Sequence, residues 1–554
     1  MATEKTRQWW ADAVIYQLYP RSFADGDGDG IGDIEGIRAR LPYLKDLGVD
    51  AIWINPWYPS PMVDAGYDVA DYYGVEPMFG TLETAQKLID EAHAAGIKII
   101  LDIVPNHTSD KHAWFRAALE AGPGSPEREK YWFRPGKGKS GELPPNDWTS
   151  TMGMGTPAWT RIAEPDGTPG EWYLHLFSPQ QPDLNWDSRE VRDGFLDILR
   201  FWFDRGVDGF RIDVAMALAK DPALPDYGLG SDDSVLAVGS VDVHPHFDRD
   251  EVQDIYREWR RVADSYPEQK LFVAEAWVLD SERYRRYLAP GVLHTAFNFG
   301  YLMSGWDAGE FKTAITKSLR EHEPLDSPPT WVLSNHDVIR HLSRFGRPEE
   351  RQTKGPSQHF TTPLDLALGT RRARAAAMLN LSLPGGVYVY QGEELGLWEV
   401  EDIPAELRQD PVFERSEHAD PGRDGCRVPL PWSGDTAPFG FSPDDATSEP
   451  WLPQPAAWRD YTVERELADE GSMLSLYRQL IGIRAEHHAW AGEELQWLEA
   501  PDGVLAFRRG TFVCAVNFAG DARPFPSGGA VLAASREYDG ATLPADTAVW
   551  IERT

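Results

Sequence analysis

Residues 81–106 read TLETAQKLIDEAHAAGIKIILDIVPN, and within them a helical spacing of apolar residues gives way to a continuous apolar, β-branched run. The first part predicts a helix over 81–96, and the second predicts a strand over 97–106. A helix that leads directly into a buried strand is the building unit of parallel α/β folds. The stretch therefore indicates the fold class, provided that the unit repeats.

The unit repeats along the chain. Short apolar, β-branched or aromatic runs predict eight strands, at 13–20, 51–56, 97–106, 209–213, 271–277, 293–299, 330–337 and 385–394. Helical stretches such as 189–206 separate several of them. This alternation predicts an α/β protein built on a closed (β/α)8 barrel. Periodicity alone leaves a doubly wound open sheet as the alternative, although no GxGxxG motif follows the first strand, which disfavours a dinucleotide-binding form.

Two insertions and a C-terminal region extend the predicted barrel. Roughly 100 residues separate the third and fourth predicted strands, which is too long for a simple crossover. Alternating apolar residues near the C-terminus predict antiparallel strands. The predicted domains are a barrel over 1–106 and 179–470 with an irregular subdomain at about 396–460, an inserted domain over 107–178, and a C-terminal β-sandwich over 471–554.

The charge of the chain limits its partners. Its 554 residues carry 54 Lys and Arg against 88 Asp and Glu, a net charge of −34. Nucleic acids and anionic membrane surfaces are bound through clustered Lys and Arg, so neither is an expected partner.

The N-terminus has no signal-peptide pattern, and no apolar run reaches the roughly 20 residues that cross a bilayer. We therefore expect a cytoplasmic protein, either a monomer or a homodimer.

Charged side chains stand at the end of the predicted strands where barrel enzymes carry their active sites. They are Asp102 in the third strand, Arg211 and Asp213 in the fourth, Glu275 in the fifth, and His336 with Asp337 in the seventh. Crowded carboxylates raise one another's pKa values and a nearby Arg lowers them, which separates acid from base roles. Glycoside hydrolysis needs such a pair of carboxyl groups around an oxocarbenium-like transition state.

Five short motifs follow one another along the chain: DIVPNH (102–107), QPDLNW (181–186), GFRIDVA (209–215), EAW (275–277) and SNHD (334–337). Four of them resemble the ordered sequence regions of the α-amylase superfamily, glycoside hydrolase family 13. QPDLNW resembles the additional region typical of its α-glucosidase and oligo-1,6-glucosidase branch. The likeness covers nearly the whole chain, from IYQLYPRSF (15–23) into the C-terminal domain.

The resemblance implies hydrolysis with retention of configuration by double displacement. Asp213 is the implied nucleophile, and Arg211, two residues away on the same strand face, is expected to keep it ionised. Glu275 is the implied general acid, and then the base that activates water. Asp337 is implied to clamp sugar hydroxyls and to support the distorted ring.

Further residues are implied to bind the sugar or to orient those that do. His107 and His336 match hydrogen-bonding residues around the cleaved sugar. Asp102 is expected to orient Arg211 and Tyr67 from behind.

One end of the pocket is expected to be closed. The motif GYDVADY (66–72) matches the loop in which the family places Tyr67 as a stacking platform and Asp68 on the terminal sugar. The stretch GRDGCRVPLPW (422–432) resembles a family segment whose Arg lies beside that Asp. Arg423 and Asp68 are therefore expected to grip the non-reducing-end glucose, which implies an exo-acting α-glucosidase of short oligosaccharides.

The residue after the implied nucleophile bears on linkage preference. In the branch that the chain resembles, Val at this position accompanies α-1,6 substrates, and smaller residues or Thr accompany α-1,4 substrates. Here the residue is Val214, but VAMAL (214–218) is more similar to the VAHGL of maltose-acting α-glucosidases than to the VINFI of oligo-1,6-glucosidases. We therefore predict a preference for maltose and malto-oligosaccharides.

An acidic stretch, DGDGDGIGD (25–33), follows the first predicted strand. Ca²⁺ takes about six to eight oxygen ligands, and glycines allow a tight loop to fold around the ion. The stretch matches a site of the family that is formed by the carboxylates of Asp25, Asp27, Asp29 and Asp33 with the carbonyl of Ile31. We expect a structural Ca²⁺ there and no catalytic cofactor.

Three alternative functions remain open from the sequence. The chain could be an oligo-1,6-glucosidase acting on isomaltose. It could also be a transglucosylase or isomerase of the trehalose or sucrose type, since these enzymes would share the intermediate on Asp213 and differ in the acceptor that takes the sugar from it. Some relatives are catalytically silent sugar-binding or transport subunits. Those lack the catalytic carboxylates, whereas Asp213, Glu275 and Asp337 are all present here.

Overall fold

The computed structural model describes residues 8–151, 156–228, 244–325, 327–348, 362–487 and 494–553. The strands in these ranges are, in chain order, β1 (Val14–Leu18), β2 (Ala51–Ile54), β3 (Lys98–Ile103), β4 (Phe133–Arg134), β5 (Trp159–Ala163), β6 (Pro169–Leu174), β7 (Gly209–Ile212), β8 (Leu271–Ala274), β9 (Thr295–Ala296), β10 (Thr330–Val332), β11 (Gly386–Tyr390), β12 (Gln496–Trp497), β13 (Val504–Arg509), β14 (Phe512–Asn517), β15 (Arg523–Pro524), β16 (Ala530–Ala534), β17 (Thr542–Leu543) and β18 (Thr547–Glu552). The α-helices are α1 (Pro20–Phe23), α2 (Ile34–Ala39), α3 (Leu41–Leu47), α4 (Leu82–Ala95), α5 (Ala113–Ala121), α6 (Arg189–Phe203), α7 (Val252–Ala263), α8 (Ser281–Tyr287), α9 (Phe299–Leu302), α10 (Ala308–His322), α11 (His341–Phe345), α12 (Leu366–Ser382), α13 (Pro411–Arg415), α14 (Val463–Ala468) and α15 (Met473–Glu486).

The opening stretch of the sequence forms the predicted unit. Thr81 caps α4 through a capping box with Thr84, and the helix ends at Gly96, whose φ of +85° suits glycine. α4 buries one apolar face, and β3 begins two residues after Gly96. Burying a side chain such as Leu88 on that face contributes about 1.5–3 kcal/mol.

Eight parallel strands form the central sheet, in the order β10-β11-β1-β2-β3-β7-β8-β9. β1 pairs with both β2 and β11, so the first and last barrel strands are neighbours. Because neighbours in the sheet follow chain order, the (β/α)8 prediction is confirmed and the doubly wound alternative is excluded. Every residue of β1, β2, β7 and β8 is buried, as expected for strands covered by helices on one side and packed inside the barrel on the other.

Between β3 and β7 the chain forms a small antiparallel sheet in the order β4-β6-β5. After β11 it forms the irregular segment, residues 396–460, which contains α13 and short 3-10 turns. This segment lies across the barrel mouth: the Leu430 N–H donates to Ser22 O (2.9 Å), and Trp432 Nε1 donates to Phe23 O (2.7 Å).

The C-terminal strands form the predicted antiparallel β domain. A five-stranded sheet, β12-β13-β14-β18-β16, lies beside the pair β15-β17. Phe525 and Leu543 pack into the apolar face of the larger sheet. Trp550 of β18 is buried against the barrel helix α12 and donates to Met378 O (3.0 Å). No helix in the described ranges combines the length and apolar character needed to span a membrane.

Candidate active site

Arg211 lies at the centre of a carboxylate cluster at the carboxyl ends of β3, β7 and β8. Its Nη1 donates to Asp102 Oδ1 (2.9 Å) and Asp213 Oδ1 (2.7 Å), and its Nη2 donates to Glu275 Oε2 (2.5 Å). Asp102 and Arg211 are direct partners in the register of β3 and β7. Strand pairing therefore sets the geometry of the cluster, and sites on such rigid elements are held precisely.

The backbone turns sharply after Asp213. Val214 has a φ of +35°, a left-handed value that β-branched residues rarely adopt. Its N–H donates to Glu275 Oε2 (3.1 Å), and Trp277 Nε1 donates to Glu275 Oε1 (3.0 Å). The strained turn, which costs about 1–3 kcal/mol, thus holds the carboxylates of Asp213 and Glu275 close together.

Tyr67 joins Asp102 to His336. Its hydroxyl donates to Asp102 Oδ2 (3.0 Å) and lies 2.7 Å from His336 Nε2, while the two rings stack with centroids 5.4 Å apart. Gln17 Nε2 lies 2.7 Å from His336 Nδ1 and donates to Asn55 Oδ1 (3.0 Å). With Nδ1 accepting from Gln17, His336 carries its proton on Nε2 and directs it toward Tyr67 and the cleft.

Asp337 is held by two arginines. Its Oδ1 accepts from Arg423 Nη1 (2.9 Å) and Arg427 Nη2 (3.0 Å), and His336 Nε2 lies 3.1 Å from Oδ2. The side chain of Asp337 is 30% exposed, against 11% for Asp213 and 11% for Glu275. The cleft therefore opens over Asp337, and the other two carboxylates lie deeper.

The cluster around Arg211 corrects one electrostatic expectation. Burial raises the pKa of Asp213 well above its usual value, and the charges of Glu275 and Asp102 add to this effect against Arg211. Burial likewise raises the pKa of Asp102 to about 6. Arg211 therefore does not by itself keep Asp213 ionised, because three buried carboxylates share one guanidinium.

Asp337 has the opposite electrostatic environment. Burial alone would raise its pKa, but the interactions with His336, Arg423 and Arg427 outweigh burial and hold the pKa of Asp337 well below its usual range. Asp337 is therefore an ionised acceptor for hydroxyl groups at the open side of the cleft.

His107 is buried beside the same loop as Tyr67. Its Nε2 lies 3.2 Å from Tyr67 O and 3.1 Å from Gln181 Nε2, and its ring packs against Phe177. Burial lowers the pKa of His107, so the ring is neutral. Gln181 belongs to the QPDLNW motif, and this contact joins that motif to the cleft.

Arg423 binds Asp64 rather than Asp68, which differs from the expected pair. Arg423 Nη2 donates to Asp64 Oδ1 (3.0 Å). Asp68 is fully buried, and its oxygens accept from Ser60 Oγ (2.9 Å) and from the N–H groups of Val63 (3.0 Å) and Asp64 (3.0 Å). The carboxylate of Asp68 is turned into its own loop, so Asp64 takes its place beside Arg423.

Sequence reasoning missed several residues that hold this site. Arg427 stands within the GRDGCRVPLPW stretch, so a second basic residue in that motif was an available signal. Asp64 and Asp410 show no sequence signal, because their partner Arg423 is 359 and 13 residues away and the intervening chain has no periodicity.

The acidic loop after α1 gathers three carboxylates. Asp25, Asp27 and Asp29 each offer an oxygen within 4.8 Å of the others. Asp25 also accepts from the N–H groups of Gly28 (2.7 Å) and Gly30 (2.9 Å), which shapes the loop. Three clustered carboxylate oxygens are the donor set that a hard cation such as Ca²⁺ prefers, so these residues fit the ion.

Asp33 differs from the other predicted metal ligands. It is the N-cap of α2, and its Oδ1 accepts from the Gly36 N–H (2.6 Å). Its Oδ2 accepts from the N–H groups of Gly26 (2.9 Å) and Asp27 (3.1 Å). Both oxygens are thus occupied by the backbone, and Asp33 lies outside the group of three because helix capping uses its carboxylate.

The family model described as the α-amylase catalytic domain matches residues 17–492. The chain belongs to the α-amylase family. A probable α-glucosidase of Rhizobium meliloti (strain 1021) is 36% identical over 521 residues, which are 91% of this chain and 88% of that protein. An oligo-1,6-glucosidase of Parageobacillus thermoglucosidasius is 36% identical over 518 residues, 87% of this chain and 84% of that one.

The fold is also similar to that of a solved structure over nearly the whole chain. The trehalulose synthase of Pseudomonas mesoacidophila MX-45 superimposes with a TM-score of 0.84 at 29% identity, covering 99% of this chain and 100% of that chain. This member of the α-amylase family is a glycoside hydrolase of the branch that contains α-glucosidases and oligo-1,6-glucosidases.

Proposed function

We propose that this enzyme is an exo-acting retaining α-glucosidase that releases glucose from the non-reducing end of maltose and short malto-oligosaccharides. The observation that carries the proposal is Arg211, which gathers Asp213 and Glu275 beside the ionised Asp337 at the barrel mouth. A retaining glycosidase needs two neighbouring carboxyl groups of different protonation, and a third that binds hydroxyls supports the distorted ring.

In the proposed first step, the enzyme reacts in the form in which Asp213 is ionised and Glu275 holds the proton: Asp213 attacks the anomeric carbon while Glu275 gives its proton to the glycosidic oxygen. The bond to the leaving sugar breaks, and a glucosyl ester forms on Asp213. In the second step, Glu275 takes a proton from water, the water oxygen bonds to the anomeric carbon, and the ester bond to Asp213 breaks, which releases glucose in the α configuration. Arg211 contacts both carboxylates and stabilises the negative charge that moves between them.

Arg423 supports exo action. It bridges Asp64, on the loop after β2, and Asp337, on the loop after β10, so three distant parts of the chain form one wall of the cleft. We infer that this wall ends the pocket after one sugar, which would restrict attack to chain ends. In this proposal Asp64 and Arg423 close the pocket, and Asp68 shapes the loop behind them.

The preference for α-1,4 linkages rests on the stretch after the nucleophile. Val214 is buried within the turn that joins Asp213 to Glu275, so its side chain is fixed beside the reacting groups. The longer VAMAL stretch supports maltose as substrate, and Val214 is the residue that we would exchange to alter linkage preference.

The deciding experiment compares initial rates of glucose release from maltose and isomaltose at equal concentration. We expect maltose to be preferred by about 10-fold or more, a margin that pocket shape can supply. A preference for isomaltose would contradict the α-1,4 assignment and would place the enzyme with the oligo-1,6-glucosidases. Val214→Thr would then be the variant to make.

The likeness to trehalulose synthase favours one second candidate, a sucrose isomerase. Incubation with sucrose distinguishes it: an isomerase returns a disaccharide of the same mass, and a hydrolase releases glucose and fructose. We expect glucose and fructose, because the proposed second step uses water as the acceptor.

We also propose that Asp25, Asp27 and Asp29 bind a structural Ca²⁺. When bound, the ion would neutralise these clustered charges and would hold the loop against the irregular segment. The ion has no part in the proposed chemistry, since the loop is separate from the carboxylates around Arg211.

A further inference from the structure

Asp410, on the irregular segment just before α13, contacts both arginines that hold Asp337. Its Oδ2 accepts from Arg423 Nε (2.5 Å) and from the Arg423 N–H (3.0 Å), and Arg427 Nη1 lies 3.6 Å from the same oxygen. The side chain of Asp410 is fully buried. Asp410 is thus an anionic anchor shared by the two arginines.

The anchor fixes the direction of the Arg423 guanidinium. A guanidinium is planar and presents its five N–H groups in a rigid fork. With Nε held by Asp410, Nη1 faces Asp337 (2.9 Å) and Nη2 faces Asp64 (3.0 Å). One buried contact therefore determines how Arg423 meets two carboxylates of the cleft.

Gly422 leaves the space that Asp410 occupies. A Cβ at this position would lie 2.7 Å from Asp410 Cβ and 2.8 Å from its Cγ. The φ of Gly422 is +70°, which also disfavours other residues. A glycine before Arg423 thus leaves room for the Asp410 carboxylate to reach Arg423.

We propose that Asp410 is a positioning residue of the sugar-binding pocket, holding Arg423 and Arg427 so that Asp337 and Asp64 keep the orientation that binds sugar hydroxyls. The inference deepens the proposed function and rests on it. Misplacement of a binding group by about 1 Å can cost up to about 100-fold in rate, so loss of the anchor is expected to act on turnover as well as on stability.

Asp424 provides a matched comparison. It is as buried as Asp410, and its Oδ2 accepts from the N–H groups of Gln409 (2.7 Å) and Asp410 (3.1 Å). Within the described ranges it forms no ion pair with an arginine. The Asp424 carboxylate therefore organises the backbone of the same segment without pairing with the guanidinium of Arg423 or Arg427.

The test compares Asp410→Asn with Asp424→Asn in the full chain, measuring Tm, kcat and KM for maltose, and glucose affinity by calorimetry. Both variants are expected to lower Tm. Asp410→Asn is expected to lower kcat/KM by about 10- to 100-fold and to weaken glucose binding, whereas Asp424→Asn keeps kcat/KM within about 3-fold. Equal kinetic losses in the two variants would overturn the positioning role.

A second variant keeps the test decisive if Asp410→Asn does not fold. Gly422→Ala retains every charge, but its Cβ would displace the Asp410 side chain and its left-handed φ would strain the backbone beside Arg423, so it is expected to reproduce the kinetic loss. Wild-type kinetics in Gly422→Ala would refute the proposal. Glucose is the unit common to all the candidate activities. A wild-type enzyme that binds glucose but leaves maltose intact would therefore contradict the proposed function. In that case, comparing the glucose affinity of the wild type with that of the Asp410 variant still tests the positioning role.

Discussion

Arg211 and Asp337 show how two parts of one cleft acquire different charge states. Around Arg211, burial and mutual repulsion outweigh a single guanidinium, and the pKa of Asp213 is raised. At Asp337, two arginines pair with one partly buried carboxylate, and its pKa is lowered. The number of cations per carboxylate, more than the mere presence of a cation, sets the direction in which each pKa shifts.

Replacement of Asp213 by Asn is expected to lower the turnover of maltose by at least about 1,000-fold, because the amide cannot form the glucosyl ester. Initial rates and a melting curve measure activity and folding separately. Asp208 is the matched control: it lies at the opposite end of β7, where its carboxylate binds Lys98 (3.0 Å) and His93 (2.7 Å).

Asp208→Asn is expected to lower Tm and to leave turnover nearly unchanged, because the N-terminal face of a barrel serves stability. If Asp213→Asn retained a tenth of the wild-type rate, another residue would have to be the nucleophile.

At the scale of elements, the acidic loop and the irregular segment form one unit. The Asp25 N–H donates to Phe441 O (2.9 Å), and Trp451 N–H donates to Gly30 O (3.0 Å). A Cβ at Gly30 would lie 2.1 Å from Glu449 O, so only glycine allows this approach. The loop thus supports the same segment that carries Asp410 and Arg423.

Removal of Ca²⁺ by EDTA is expected to lower Tm by several degrees, because repulsion among Asp25, Asp27 and Asp29 would no longer be neutralised. Added Ca²⁺ should restore the original Tm. The variant Asp27→Asn is expected to lose most of this response, and Asp46→Asn, a change at an exposed residue of α3, to keep it. A wild-type melting curve indifferent to both EDTA and Ca²⁺ would rule out the site.

Strands and helices could be predicted from the sequence where periodicity is strong, as in α4 and β3, and the eight barrel strands were found in this way. The residues at the strand ends could be predicted for the same reason. The Arg423–Asp64 contact could not, since it joins loops without periodicity. The raised pKa of Asp213 could not either, because it depends on burial depth and on the neighbouring carboxylates.

At the scale of the whole molecule, buried glutamates connect the barrel to its C-terminal helix. Glu393 follows β11, and its Oε1 accepts from the hydroxyl of Tyr477 on α15 (2.7 Å). Burial raises the pKa of Glu393 to about 8 and that of Glu399 to about 7. At a pH between the ordinary pKa of a glutamate and these raised values, the folded protein holds protons that the unfolded chain has released. Raising the pH through this range therefore destabilises the folded state.

The free energy of unfolding is therefore expected to fall as pH rises from 6.5 to about 8. Stability from Glu393 is fully present below its ordinary pKa of 4.5 and is lost toward about 8. Burial lowers the pKa of histidines such as His336, so they make the free energy of unfolding rise with pH, but only below pH 6.5. Melting curves at pH 6.5 and 8 should show a decrease of a few degrees.

Glu393→Gln keeps the contact with Tyr477 and removes the titration, so its Tm should change less over this range. Glu120→Gln, at an exposed residue of α5, serves as the control and should behave as wild type. An unchanged decrease in Glu393→Gln would show that other groups cause it.

The pairing of β1 with β11 also constrains how the protein is made. A ribosome adds about 5–20 residues per second, so roughly 20–70 s pass between the emergence of Leu18 and that of Gly386. During that interval one edge of β1 has no partner, and exposed strand edges invite aggregation. Arg427 emerges later still, so the nascent chain must be protected long before it can acquire a complete active site.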